Sequence, residues 1–166
     1  GGGSRSACVL ERARGGRRPV VLLLAAPEQL VVVDAGPLVQ LRANIGGLAA
    51  IHQFCRVGQA AMVAGMARLT QDVLPFTIAE GFPANMRVIN KVGMERAGYH
   101  ADEIAEVRKA FRLLFLRGLR LEEATSQARK EFKGSKNVSL MLDALASSKQ
   151  GLARPESATY EINMGD

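Results

Sequence analysis

His52 and His100 are the two imidazoles in the chain, and imidazole is the side chain best suited to moving a proton near neutral pH. His52 opens the string His52-Gln53-Phe54-Cys55 beside a turn. A lone imidazole there reads first as a structural or passive cleft residue, and only second as a base. His100 precedes a helical pattern and reads as a capping-region residue. Cys8 and Cys55 have no metal-ligand spacing and make no disulfide framework, which suits a reducing cytoplasm. Arg108, Lys109 and Arg112 read either as an ordinary solvated helix face or as a surface for an acidic partner. Arg12, Arg14, Arg17 and Arg18 cluster without any nucleic-acid motif. Gly65 can be a simple corner glycine.

The elements that would position these residues fit a chain of 166 residues, one ordinary domain or two small ones. Hydrophobic and charged fractions of 48% and 23% are those of a globular protein. Low aromatic content and the absence of Trp argue against a stacking platform for single-stranded nucleic acid. The formal charge of +6 is spread along the chain with acids among it, so it does not by itself indicate nucleic acid. The longest apolar run, residues 20–26, is too short to span a bilayer, and no transmembrane segment is expected. Arg17 and Arg18 before it faintly imitate a signal peptide, but no clean cleavage site follows.

Five segments are expected. Residues 1–43 are rich in Gly, Arg and Val and contain no Lys; their apolar blocks at 20–26 and 30–33 have strand-like length without organising turns. The opening Gly-Gly-Gly-Ser reads as a linker or a fragment boundary. Residues 44–78 carry a six-residue period: Ile45, Ile51, Val57, Val63 and Leu69, each followed four places on by Ala49, Cys55, Ala61, Ala67 or Val73. That period marks a parallel β-helix of hexapeptides, with the aliphatic residue pointing inward and the small one at a tight corner. Weaker matches at Val39 and Val33 run upstream until Pro27. Residues 79–100 are expected to be a connecting loop. Residues 101–150 are expected to be helical, with helices over 102–117, 121–133 and 137–147 closed by Gly118 and Gly134. Residues 151–166 form a polar tail.

The order solenoid, connection, helices, with Ile51-His52-Gln53-Phe54-Cys55, then Thr70-Gln71-Asp72-Val73-Leu74-Pro75-Phe76, then Ile78-Ala79-Glu80-Gly81, resembles the UDP-N-acetylglucosamine O-acyltransferases. Gly93 to Gly98 with Arg96, and Gln150-Gly151-Leu152, extend the likeness to about two-thirds of the chain. The resemblance implies a left-handed parallel β-helix, truncated here, followed by a small C-terminal α-helical domain. It implies a cytoplasmic homotrimer with active sites between subunits. The implied reaction moves a 3-hydroxyacyl group from acyl carrier protein to the 3-hydroxyl of UDP-N-acetylglucosamine, the first step of lipid A synthesis. A His acts as general base, and no metal or cofactor is implied because the thioester is already activated. By the same resemblance His52 and Gln53 line the substrate cleft, and Gly65 limits acyl-chain length. Asn90 and Arg96 contact the nucleotide, and Arg108, with Arg112 on the same helix, faces the carrier protein.

The departures concern catalysis. The family's general-base His lies roughly two coils before His52, which falls near Arg17, and no His precedes His52 in this chain. The oxyanion-stabilising backbone and a second cleft His would fall near Ala35 and Gly36, and a further contacting His is replaced around Phe82-Pro83. No catalytic residue is identifiable, and the chain alone is expected to be inactive or nearly so. Three readings follow. The first is an acyltransferase whose N-terminal part was replaced by a frameshift, misassembly or wrong start. The second is a non-catalytic module that trimerises or holds carrier protein. The third is the N-acyltransferase acting later in the pathway, which His52-Gln53-Phe54 disfavours.

Overall fold

A computed structural model describes residues 20–24, 30–34 and 38–155, with side chains from Val39 onward. Its strands are β1 (Val20–Leu24), β2 (Leu30–Asp34), β3 (Leu38–Val39), β4 (Asn44–Ile45), β5 (Ala50–Ile51), β6 (Arg56–Val57), β7 (Met62–Val63), β8 (Arg68–Leu69), β9 (Thr77–Gly81) and β10 (Ala84–Ile89). Four helices complete it: α1 (Lys91–Arg96), α2 (Ala101–Phe115), α3 (Leu121–Glu131) and α4 (Lys136–Ala146).

The two-residue strands follow from the hexapeptide period. Successive side chains in a strand point to opposite sides. In β4 to β8 the second residue is buried while the first is exposed or half-buried. Parallel pairing stacks each strand on one 18 residues later: Ile45 on Val63, Ile51 on Leu69, Val39 on Val57. Three short sheets result, ordered β1-β2-β5-β8, β3-β6 and β10-β9-β7-β4. They enclose Ile45, Ile51, Val57, Val63 and Leu69, with Ala49, Cys55, Ala61, Ala67 and Val73 buried at the corners. This is the left-handed parallel β-helix. Its corners turn through residues six apart with positive φ, namely Arg42, Leu48, Phe54, Ala60 and Met66.

The pairing begins earlier than residue 44. β2 pairs β5 in parallel and β3 pairs β6, so the coils continue upstream of the expected boundary. β1 then turns back antiparallel on β2. The expected loop over 79–100 is also corrected. It contains the β9–β10 hairpin, with a cis Phe82-Pro83 bond at its turn, and the short helix α1. Period-two burial in Ala84–Ile89 explains the strand, since Ala84, Met86 and Ile89 face the core across a register shift between Met86 and Val88. The last coil is two residues shorter than the others, with Val57 bridging Val73 and Met62 pairing Ile78.

α2 buries Ile104, Val107, Ala110, Phe111 and Leu114, one stripe of a 3.6-residue repeat. α3 presents only Ala124 and Ala128 to the core, and α4 presents Val138, Met141 and Leu142. Gly118 and Gly134 follow α2 and α3 at φ 68° and 101°, a left-handed conformation that lacks a Cβ penalty only in glycine. Asp72 joins the two parts. Its buried carboxylate accepts the Arg56 N–H at 2.7 Å and the Ser148 hydroxyl at 2.8 Å. Its backbone pairs with Gly151 and Ala153.

Three outcomes follow for stability. Gly58→Ala would place a Cβ 2.3 Å from Pro75 N, so backbone must move, and a loss of about 1–3 kcal/mol is expected in urea unfolding. Asp72→Ala strands two donors and should cost about 3 kcal/mol, whereas Asp72→Asn keeps an acceptor for Arg56 N–H and should cost less. Burial, aided by the Asp72 charge, pushes the Cys55 thiol up from 9.0 to about 11. The unfolded chain therefore releases that proton first, and stability falls as pH rises from about 9 to 11. Relative to Cys55→Ala, the wild type should lose about 2–3 kcal/mol across that interval, read as denaturant midpoints at its two ends.

Candidate functional site

The outer face of the β2-β5-β8 sheet lies between two solenoid corners, and these corners carry three of the expected residues. On one side, β5 ends at Ile51 and His52 begins the turn, its N–H donating to Leu69 O at 2.8 Å. The His52 ring is exposed, with Nδ1 3.1 Å from Gln53 O. A proton on Nδ1 would donate to that carbonyl and leave Nε2 as an open acceptor. Gln53 is half-buried, and Phe54 is 59% exposed at φ 64°. A general base is ordinarily held by an orienting carboxylate. Among the described residues, the His52 ring's one hydrogen-bonding neighbour is the Gln53 carbonyl, and no carboxylate orients it.

On the other side, Gly65 follows β7, directly below Gly47 of the preceding coil. A Cβ on Gly65 would lie 3.2 Å from Gly47 O, a tight but not prohibitive approach. The strict steric requirement belongs to Gly46, where a Cβ would fall 2.3 Å from Gly65 N. Corner geometry therefore demands glycine at 46 more than at 65. Leu48 and Met66 turn this corner in successive coils at φ 59° and 60°, and both are exposed. Between the corners, Ala50 and Arg68 face outward, and the Arg68 guanidinium sits 4.7 Å from the Phe82 ring centroid.

Asn90 is elsewhere and has internal work. It is buried, Nδ2 donating to Ala60 O at 2.9 Å and Oδ1 accepting from Gly93 N at 3.0 Å. It clamps α1 to the Ala60 corner. Arg96 is exposed in the last turn of α1. Arg42, one coil above Ala60, donates to Ala97 O just after α1. Arg108 and Arg112 lie one turn apart on the exposed face of α2, with Lys109 beside them. His100 is the N-cap of α2, its N–H donating to Glu103 at 2.9 Å. That bond, with Asn137, holds the Glu103 carboxyl below its usual range. Arg17, Ala35, Gly36 and Cys8 lie outside the described residues. Among the described residues, no group of three or more His, Cys, Asp or Glu could hold a metal.

Two features were not found from sequence. The Asp72 anchor was hidden inside a hexad, although a carboxylate one place before an inward Val73 was its signal. The exposed apolar corners Leu48, Phe54 and Met66 stand three places after Ile45, Ile51 and Val63, a pattern that was readable.

Residues 72–153 match the family model described as UDP-N-acetylglucosamine O-acyltransferase, domain 2. An acyl-[acyl-carrier-protein]–UDP-N-acetylglucosamine O-acyltransferase of Myxococcus xanthus is 40% identical over 110 residues, covering 66% of this chain and 43% of that one. One of Gloeothece citriformis is 45% identical over 89 residues, covering 54% and 32%. The UDP-N-acetylglucosamine acyltransferase structure from Campylobacter jejuni superposes with a TM-score of 0.72 at 33% identity, over 77% of this chain and 50% of that one. The chain thus spans a third to a half of these relatives' own length. In its C-terminal part, solenoid coils and helices together, the chain belongs to the UDP-N-acetylglucosamine O-acyltransferase family.

Proposed function

We propose that this chain supplies the substrate-holding half of an acyl-[acyl-carrier-protein]–UDP-N-acetylglucosamine O-acyltransferase. The observation that carries this is the outer sheet face bounded by His52-Gln53 at one corner and by stacked Gly47 and Gly65 at the other. The glycine corner, with exposed Leu48 and Met66 beside it and no side chain on Gly47 or Gly65, suits an acyl chain, and the polar corner suits a sugar. In the reaction the relatives' names state, an acyl group leaves a carrier protein for UDP-N-acetylglucosamine. The sugar hydroxyl attacks the thioester carbonyl, its proton goes to a base, and the carrier thiol leaves. His52 is exposed and, among the described residues, has no carboxylate behind it, so in this reading it contacts substrate and does not serve as the base. Asn90 positions α1, Arg96 takes the nucleotide phosphates, and Arg108 and Arg112 meet the acidic carrier protein.

Self-association belongs to the same reading. Leu48, Phe54 and Met66 are non-glycine residues in left-handed backbone, a conformation costing about 1–2 kcal/mol each. They also expose 59 to 74% of their surface. Apolar side chains aligned along solenoid edges suit contact with another copy, and a homotrimer with clefts between subunits fits the pattern. The reading carries a cytoplasmic location with it. No helix among the described residues is long and apolar enough to cross a membrane.

The purified chain should bind acyl carrier protein bearing a 3-hydroxyacyl group and UDP-N-acetylglucosamine, with product formation slower than in a full-length relative by about 10²–10⁴-fold or more. Turnover comparable to that relative would sink the binding-only reading, and absence of binding to either substrate would sink the family role. Gly65→Met should weaken binding of the longest acyl chains about tenfold while leaving short chains unaffected. Light scattering should report a trimer that Met66→Glu dissociates; a monomeric wild type would remove the between-subunit cleft.

A further inference from the structure

Arg68 stands in β8 in register with Ala50, one coil above it in β5. Both are exposed, while Ile51 and Leu69 beside them are buried. Successive residues of a strand alternate between its two sides. His52, two places on from Ala50 and still in the ladder through its N–H to Leu69 O, is exposed on that same outer side. Ala50 has no side chain beyond Cβ, so β5 leaves the face above Arg68 uncrowded. The turn of the β9–β10 hairpin brings Phe82 against the guanidinium, whose carbon lies 4.7 Å from the ring centroid. A ring contact of this kind steadies a long side chain without using its N–H donors. The hairpin's carboxylate, Glu80, pairs with Arg87 at 3.4 Å. Among the described residues, the Arg68 guanidinium has no hydrogen bond and no ion pair.

We propose that Arg68, braced by Phe82, is a phosphate contact on the face that carries His52. A guanidinium presents a planar fork of N–H donors that matches two oxygens of one phosphate, and it keeps its charge at any working pH. A braced fork with no acceptor from its own chain suits an anion that a ligand brings. Which ligand brings it rests on the acyltransferase reading. The nucleotide sugar carries a diphosphate, and an acyl carrier protein presents its thioester on an arm joined through a phosphodiester. Either source offers the same oxygens to the fork. Arg96, the other arginine assigned to phosphate, is on α1 at the Ala60 corner, so Arg68 is a contact at a separate place in the chain.

The full chain is titrated by calorimetry with UDP-N-acetylglucosamine, with 3-hydroxyacyl carrier protein, and with a phosphate-free thioester of the same acyl group. Arg68→Ala should weaken one phosphate-bearing substrate about tenfold at an unchanged melting temperature and leave the phosphate-free thioester unaffected. Loss confined to the nucleotide sugar assigns the diphosphate, and loss confined to the carrier protein assigns the arm. Arg68→Lys, which keeps charge without the fork, should fall between wild type and Arg68→Ala. A separate arm needs neither substrate: pyrophosphate is titrated at matched ionic strength, following the Arg68 Nε–H by NMR. A saturable shift is expected, about threefold weaker in Phe82→Leu. The contact is overturned if that shift does not saturate, or if Arg68→Ala binds both phosphate-bearing substrates as tightly as wild type. Saturable pyrophosphate binding with neither substrate bound would overturn the acyltransferase reading and keep the contact.

Discussion

Register between coils is the constraint on which the rest of this structure depends. Ile45, Val63 and Ala79 form one inward column, Ile51 and Leu69 a second, and Val57 and Val73 a third. A slip of one residue would turn each column outward and expose the corner alanines. The same register places Gly65 below Gly47 and sets His52 across the sheet from them. Chemistry at the surface is thus fixed by packing in the interior. No surface side chain has to hold the site together.

A solenoid of few coils cannot close its own ends, and here the C-terminal end is closed by polar anchors as much as by apolar contact. Asp72 binds the Arg56 backbone and the Ser148 side chain while its own backbone engages the returning segment at Gly151 and Ala153. Asn90 does the equivalent for α1 at the Ala60 corner. Both are buried, and both have partners from elements distant in sequence. Such contacts are directional, which fixes how the helices sit on the coils in a way that burial alone would not.

Much of this was legible in the residues. A period of six with small corner residues fixes the parallel stacking, and 3.6-residue stripes ending at Gly118 and Gly134 fix the helices. The hairpin at 77–89 was not legible because its alternation is broken by a register shift and its turn consists of Gly81, Phe82 and Pro83, which read as loop chemistry. Upstream of residue 44 the strand-like blocks at 20–26 and 30–33 and the weaker hexad matches at Val33 and Val39 were legible, while the antiparallel turn of β1 onto β2 was not, because no turn chemistry organises those blocks. For the site, the positions of His52 and Gly65 on corners follow from the period. Their division of labour does not, because it depends on where glycine is sterically required. That depends on backbone distances such as Gly46 to Gly65. Asn90 shows the same limit, since a motif position says nothing of the bonds that its amide makes to Ala60 and Gly93.

The shortened final coil has an effect on assembly. It pairs at an offset of 16 where the earlier coils use 18, β9 still stacking in parallel on β7, and β10 then covers β9 in the antiparallel sense. A further coil arriving from that side would meet an antiparallel strand and the Asp72–Leu152 bridge in place of a matching parallel edge. Cross-β growth requires a template at both faces of each layer. Covered in this way, β9 offers no parallel edge to which a matching strand could add.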